Sequence, residues 1–215
     1  MDLGFSDATA VIAGGTRGIG LATALCLAAD GCRVGLVGRD EARLKEAVDA
    51  LEAAGSPEVL QLSADLASVS AVAAVFEEVR MRWGGLNVLV NAAGPVGAGR
   101  FEDLDDAGWS DAFDQGVLTA VRCVRAALPL LRGADWARIV NVTAMSVQRQ
   151  SPGLVSYTAA KSALLSVTKN LARSLAGDAI LVNAVAPGPI LTRWLEGHMD
   201  HVERRTFEAA ALGHL

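Results

Sequence analysis

The sequence is poor in aromatic residues, in cysteine and in long apolar runs. Aromatic residues make up 5% of its 215 residues, and its three cysteines are an odd number without metal-ligand spacing. They predict reduced thiols in a cytoplasmic protein rather than disulfide bonds. No apolar run approaches the roughly 18 residues of a membrane span, and the first residues lack the basic and apolar segments of a secretory signal. We therefore expect no membrane partner.

The net charge is unfavourable for binding a polyanion. Lysine and arginine total 19, aspartate and glutamate total 24, and the net charge is −5 at pH 7. No nucleic-acid partner is therefore expected. Because 52% of the residues are hydrophobic and 20% are charged, the chain is expected to fold rather than remain disordered. No internal repeat or linker is evident, so the length predicts one domain over residues 1–215.

Short apolar segments alternate with amphipathic ones along the chain. Buried strands are predicted at 9–13, 33–37, 59–62, 86–90, 138–143 and 180–185. Helices are predicted at 18–30, 41–54, 69–83, 105–131 and 155–175. This alternation is typical of a parallel sheet with helices on both faces. The predicted fold class is therefore α/β, a doubly wound Rossmann-type sheet in three layers that binds ligands beyond the carboxyl ends of its strands.

A glycine-rich loop follows the first predicted strand. Its glycines have the spacing G-x-x-x-G-x-G, and its residues are Gly14, Gly15, Thr16, Arg17, Gly18, Ile19 and Gly20. Glycines let the backbone turn tightly and approach a pyrophosphate, whose charge is stabilised by the N-terminus of the following helix. The loop therefore predicts dinucleotide binding. A plain tight turn between a strand and a helix is the alternative that this loop alone leaves open.

The end of the second strand indicates which dinucleotide binds. Sites for NAD carry an acidic residue there for the ribose 2′-hydroxyl, whereas this chain has Gly38 followed by Arg39. Arg17 can approach the same region from the glycine loop. Two guanidinium groups favour a 2′-phosphate and hence NADP(H). Asp40 lies one residue further on, and we interpret it as the N-cap of the next helix.

The only tyrosine of the chain, Tyr157, lies four residues before Lys161. On the predicted helix both side chains point from one face. A nearby ammonium is expected to lower the pKa of the tyrosine and make it usable as a proton donor or acceptor. By itself such a pair is common on helices and carries little information.

In combination, these motifs are more specific. Over residues 9–192 their order resembles the short-chain dehydrogenase/reductase family, close to its 3-oxoacyl-carrier-protein-reductase-like members. The motifs that carry the resemblance are the glycine loop, Asp65-Leu66, Asn91-Ala92-Ala93-Gly94, Tyr157 with Lys161, and Pro187-Gly188.

The resemblance implies a carbonyl or secondary alcohol substrate and a role for each motif. Tyr157 would be the general acid, and Lys161 would bind the nicotinamide ribose and adjust the tyrosine. The glycine loop would hold the diphosphate of NADP(H). The remaining cofactor contacts would come from Asp65, Leu66, Asn91, Ala92, Ala93, Gly94, Pro187, Gly188, Ile190 and Thr192. A homodimer or homotetramer is also implied, with subunit contacts through residues 105–131 and 155–175.

Two positions depart from the family pattern. A serine usually stands thirteen residues before the tyrosine and an asparagine in the long helix, but this chain has Ala144 and Gly116 there. Ser146 is the preferred substitute for the missing serine, with Thr143 as a second candidate, and Gln115 or a water could replace the asparagine. The two hypotheses are an active NADP(H)-dependent oxidoreductase and a catalytically impaired NADP(H)-binding protein.

Residues 190–215 are expected to form a substrate-loop region. Trp194 and Leu195 are the candidates for an apolar wall of the substrate pocket. His198 and His201 lie near acidic residues, but no second ligand pair accompanies them, so no metal site is expected. Family members generally continue with one more helix and a last strand. Either this protein lacks these elements or the sequence omits them.

Overall fold

The computed structural model describes residues 4–94, 99–188 and 190. Within them, six parallel strands form one sheet in the order β3-β2-β1-β4-β5-β6. The strands are β1 (Thr9–Ala13), β2 (Arg33–Gly38), β3 (Val59–Ser63), β4 (Val88–Asn91), β5 (Ala137–Val142) and β6 (Ile180–Val185). This arrangement confirms the predicted doubly wound α/β fold.

Helices connect successive strands. They are α1 (Gly18–Ala29), α2 (Glu41–Ala53), α3 (Val69–Trp83), α4 (Asp106–Phe113), α5 (Thr119–Arg132) and α6 (Val155–Ser174). The helical stretch predicted over 105–131 is present, but it is not uniform, because a wider π-type turn at Asp114–Leu118 lies between α4 and α5. The predicted cap of α2 is present: the Asp40 side chain accepts a hydrogen bond from the Arg43 amide at 3.1 Å.

Two hydrophobic cores cover the two faces of the sheet. Because side chains alternate along a strand, β1 contributes to both. Val11 packs with residues of α3 and α5, whereas Ile12 packs with residues of α1 and α2. The cores therefore fix the helices on each side and leave the loops at the carboxyl ends of the strands free to form a site.

The fourth strand begins two residues later than its apolar pattern predicts. The Leu86 amide donates to the carbonyl of Leu130 at 3.3 Å, outside the sheet ladder. The Asn87 side chain accepts hydrogen bonds from the amide and hydroxyl of Thr9. Hydrophobicity marks Leu86 as buried, but this bond to the end of α5 removes it from the strand.

A line of buried polar groups ties the sheet to α6. Asn91 and Asn141 are opposite each other on β4 and β5, and the Asn91 amide donates to Asn141 Oδ1 at 2.8 Å. The Asn141 amide donates in turn to the Thr168 hydroxyl at 2.9 Å, and that hydroxyl donates to the Leu164 carbonyl at 2.7 Å. These bonds fix α6 against the centre of the sheet.

Candidate active site

The strand order reverses between β1 and β4, and the candidate site lies there. From β1 the chain crosses to β2, whereas from β4 it crosses to β5 in the opposite direction along the sheet. The last paired residues, Ala13 and Asn91, bring the two following loops together. Crevices at such reversal points are the ligand sites of doubly wound sheets.

The glycines of the first loop allow close backbone contact at this crevice. Gly14 has φ +84°, and a Cβ there would lie 2.7 Å from the Ala93 amide nitrogen. A Cβ on Gly20 would lie 2.2 Å from the Gly14 carbonyl oxygen. Neither contact could be accommodated by a larger residue without movement of the backbone. The loop therefore lies directly against the residues that follow β4.

The first turn of α1 is available to an anion. Its N-cap residue, Arg17, makes no side-chain capping bond, and no acidic residue lies in the first turn. The leading amides of a helix without a cap are unsatisfied by the chain and attract negative charge. Together with the close-packed glycines, this helix start fits the diphosphate of a dinucleotide.

The end of β2 leaves little room for a side chain at position 38. A Cβ on Gly38 would lie 2.5 Å from the Thr16 methyl group. Arg17 and Arg39 are exposed, and neither has an ion-pair partner within the described residues. Asp40 is turned toward Arg43, 3.2 Å away. Both guanidinium groups are therefore available to a phosphate.

The residues after β3 occupy two different environments. Asp65 is exposed, and its carboxylate accepts a hydrogen bond from the Ala67 amide at 3.0 Å. Leu66 is 8% exposed and belongs to the core beneath α3. Asp65 is thus the member of this motif that is accessible to an adenine, whereas Leu66 mainly supports the loop.

Tyr157 and Lys161 lie at the start of α6, beside the end of β5. The Lys161 ammonium is 5.8 Å from the centroid of the Tyr157 ring and donates to the Val142 carbonyl at 3.0 Å. Lys161 is only 4% exposed. A Cβ on Gly94 would lie 3.4 Å from this ammonium. The loop after β4 and the reactive face of α6 therefore border one another.

Burial changes the proton affinities of this pair in opposite directions. It lowers the pKa of Lys161 to about 8 and raises the pKa of Tyr157. The expected lowering of the Tyr157 pKa is therefore wrong for this arrangement, because the net shift is upward. Loss of solvent around the phenolate prevails, while the ammonium donates to Val142. The tyrosine is consequently protonated at neutral pH.

Near the end of β5, one buried hydroxyl has no hydrogen-bond partner within the described residues. Ala144 is buried and offers no donor. The Thr143 hydroxyl donates to the Val185 carbonyl at 3.0 Å. Ser146 is buried, and its hydroxyl has no hydrogen-bond partner within the described residues. It lies in a short 3₁₀ turn, Met145–Val147, so the strand alternation that made it the preferred candidate does not apply. Its free hydroxyl keeps it as that candidate.

The second departure lies in the π-type turn. Gly116 is buried, and a Cβ there would lie 2.9 Å from the Cβ of Ala160 on α6. An asparagine would require the turn and α6 to separate. Gln115, the suggested replacement, has its amide nitrogen 2.5 Å from the Asp111 carboxylate. Its side chain therefore supports α4 rather than the lysine.

The final motif follows β6. The Pro187 carbonyl accepts a hydrogen bond from the Met145 amide at 2.9 Å, and a Cβ on Gly188 would lie 3.7 Å from the Met145 sulfur. Ile190 is 48% exposed. This motif thus borders the turn that carries Ser146. Other predicted residues lie outside the described part of the chain, namely Thr192, Trp194, Leu195, His198 and His201.

The described residues contain no candidate membrane span and no cluster of metal ligands. None of their helices is both long and apolar enough to traverse a bilayer. Nor do they contain a group of three or more histidine, cysteine or acidic side chains placed to hold a metal ion.

The fold and this crevice define a doubly wound α/β protein of the dinucleotide-binding type. The family model for short chain dehydrogenase matches residues 8–202. A 3beta-hydroxysteroid dehydrogenase of Mediterraneibacter gnavus is 34% identical over 210 residues, which are 97% of this chain and 75% of that protein. A 3-oxoacyl-[acyl-carrier-protein] reductase of Staphylococcus aureus is 30% identical over 92% of this chain and 80% of its own. The chain belongs to the short-chain dehydrogenase family of oxidoreductases.

Solved structures agree with this assignment. L-sorbose reductase from Gluconobacter frateurii, complexed with NADPH and L-sorbose, has a TM-score of 0.88 and 34% identity over 92% of this chain and 75% of its own. An NAD⁺-bound xylitol dehydrogenase has a TM-score of 0.82 and 28% identity over 86% of this chain and 71% of its own. Proteins of this fold therefore include ones bound to either nicotinamide cofactor.

The buried ammonium predicts a pH dependence of stability. Lys161 has a pKa of about 8 when folded and roughly 10.4 when unfolded. Between these values the unfolded chain binds more protons, so the free energy of unfolding rises with pH. Below the folded pKa, Lys161 is charged in the folded protein, and the full cost of burying its ammonium lowers the free energy of unfolding. From pH 7 to 9.5, the wild type should gain about 2 kcal/mol relative to Lys161→Met in urea unfolding.

The control is Lys169→Met, which removes an exposed lysine from the same helix. Its pH curve should follow that of the wild type. A Lys161→Met curve parallel to the wild type would contradict the assignment of a buried, weakly basic ammonium.

Proposed function

We propose that this chain is an NADP(H)-dependent oxidoreductase that transfers hydride between the nicotinamide and a carbonyl or secondary alcohol. The observation that carries the proposal is the pairing of Tyr157 with buried Lys161 beside the crevice between β1 and β4, where the strand order reverses. The proposal includes a cytoplasmic, single-domain homodimer or homotetramer, as the family resemblance implies.

The chain supplies a separate group for each part of the cofactor. The leading amides of α1 would hold the diphosphate, and Arg17 with Arg39 would bind the 2′-phosphate. Asp65 would contact the adenine. Further contacts would come from Ala92, Ala93, Gly94, Pro187, Gly188, Ile190 and Thr192. When bound, the nicotinamide supplies or accepts the hydride.

Tyr157 would serve as the proton donor in carbonyl reduction. Because burial raises its pKa, the phenol retains its proton at neutral pH. As the substrate oxygen gains charge, Tyr157 transfers this proton and becomes a phenolate. Lys161, with a pKa of about 8, is largely an ammonium at neutral pH and would stabilise that phenolate. Alcohol oxidation uses the same groups in reverse.

Ser146 would take over the hydrogen bond that the family's serine makes to the substrate carbonyl. Its buried hydroxyl lacks a partner within the described residues, whereas the Thr143 hydroxyl is engaged with Val185. A buried hydroxyl without a partner is unfavourable, so it gains by donating to a ligand. This role requires its hydroxyl to rotate toward the crevice on substrate binding.

A second candidate function is a catalytically impaired NADP(H)-binding protein. The buried Ala144 favours it, because this side chain cannot polarise a carbonyl. Loss of one preorganised donor commonly lowers kcat by about 10²–10³. The two candidates differ in turnover and agree on cofactor binding.

Turnover of NADPH with a panel of ketones and 3-oxoacyl thioesters separates these two functions. The wild type should turn over at least one substrate, and Ser146→Ala should lower kcat about 10²–10³-fold by removing the carbonyl donor. Ser166→Ala, an exposed position on α6, is the matched control and should not change kcat.

Ala144→Ser completes this comparison by restoring the serine of the family pattern. If only Ala144→Ser reduces substrate while the wild type binds NADPH without turnover, the native protein is the impaired one. A Ser146→Ala variant with unchanged kcat would contradict the proposed role of Ser146. It would not contradict the oxidoreductase function.

The arginines predict the cofactor preference. Arg39→Ala and Arg17→Ala should each weaken NADPH binding about tenfold or more by removing a charged phosphate contact, and leave NADH binding unchanged. Binding is measured by calorimetric titration. Arg43→Ala is the control, because this nearby guanidinium is paired with Asp40. Preference of the wild type for NADH, or equal losses with both cofactors, would contradict the NADP(H) assignment.

A further inference from the structure

The most enclosed ion pair of the described residues crosses the π-type turn. The guanidinium of Arg122, on α5, lies against the carboxylate of Asp114, eight residues earlier. The Arg122 side chain is 16% exposed, whereas the other paired arginines of the described chain are 52–67% exposed. A second nitrogen of the same guanidinium makes a long hydrogen bond, 3.5 Å, to the Leu66 carbonyl.

The direction of this side chain follows from helix geometry. Helical side chains lean toward the N-terminus of their helix, so Arg122 reaches back over the turn at Asp114–Leu118. Inside the turn, the Thr119 amide bonds to the Asp114 carbonyl, five residues back. The turn also contains Gly116, whose backbone is intrinsically less restrained. The ion pair therefore spans the π-type turn from its first residue to α5.

The two anchors of Arg122 belong to two different segments beside the crevice. Leu66 follows Asp65, on the side assigned to adenine. The turn lies near Lys161: a Cβ on Gly94 would lie 3.5 Å from the Gln115 carbonyl oxygen and 3.4 Å from the Lys161 ammonium. Gln115 and Lys161 thus border the same glycine, and Arg122 connects this region to the adenine side.

We propose that Arg122 is a positioning residue that holds the adenine-side loop and the turn next to Lys161 at a fixed separation. It touches neither the substrate nor the reacting atoms. This inference rests on the proposed dinucleotide function. If the two segments are already held at the correct separation, binding of a whole dinucleotide does not have to pay the entropic cost of ordering them. A ligand that contacts only one segment gains little affinity from that separation.

The test compares a whole dinucleotide with one half of it. Dissociation constants for NADPH and for adenosine 2′,5′-bisphosphate are measured for wild type and Arg122→Met. NADPH should bind about tenfold more weakly to the variant, and the bisphosphate within about twofold of wild type, because only NADPH spans both sides. The control is Arg132→Met, on the same helix as Arg122. It breaks an exposed ion pair with Asp178 and should change neither constant.

Two further variants separate positioning from general damage to the fold. Asp114→Asn should reproduce the selective loss of NADPH affinity, and the double variant with Arg122→Met should bind no more weakly than either single variant. Arg122→Lys should recover part of the affinity, since a lysine can pair with Asp114 but lacks the planar fork with which the guanidinium contacts both anchors.

Equal losses for NADPH and the bisphosphate, or no loss for either, would overturn the role of Arg122. Failure of the wild type to bind NADPH would count instead against the proposed cofactor. The role of Arg122 would then be tested by the same criteria with NADH and adenosine monophosphate.

Discussion

A buried ammonium at the end of β5 is the constraint on which the arrangement of the site depends. Lys161 is almost fully removed from solvent, and burying a cation is costly unless a polar group receives it. The Val142 carbonyl, at the free carboxyl end of a strand, fills that role. This contact fixes the start of α6 to the sheet, and the bonds among Asn141, Thr168 and Leu164 fix its later turns. Tyr157 is thereby held at the crevice.

Small residues determine how closely the surrounding segments approach this centre. Gly14 and Gly20 let the first loop lie against the residues after β4, and Gly94 lies next to the Lys161 ammonium. Gly116 similarly lets the π-type turn approach Ala160. The missing asparagine is therefore more than a lost polar group, because its replacement also sets the contact between the turn and α6. In the proposed account, Arg122 supplies restraint that the glycine does not.

The sequence predicts the fold and the location of the site because both depend on local patterns. Alternating apolar segments indicate the parallel sheet, the glycine spacing indicates the first loop, and Asp40 precedes its helix as an N-cap does. The remaining features depend on contacts between distant segments. The late start of β4 follows from a bond between Leu86 and Leu130, and the raised pKa of Tyr157 follows from tertiary burial.

Two of the features missed at the sequence level left only weak signals. Gly116 within a helical pattern could have indicated an irregular turn, but glycine alone does not specify a π-type one. Arg122 and Asp114 are separated by eight residues, which is outside the usual spacing of helical ion pairs. Their contact becomes predictable only once the turn between them is known.

The central claim is that Tyr157 donates the proton to a carbonyl. The most direct test measures NADPH oxidation and NADPH affinity for wild type and Tyr157→Phe, using the substrate that the wild type turns over fastest. Removal of the phenolic hydroxyl should lower kcat by about 10²–10⁴ while NADPH affinity stays within about threefold of wild type. Equal kcat values for the two proteins would contradict the claim.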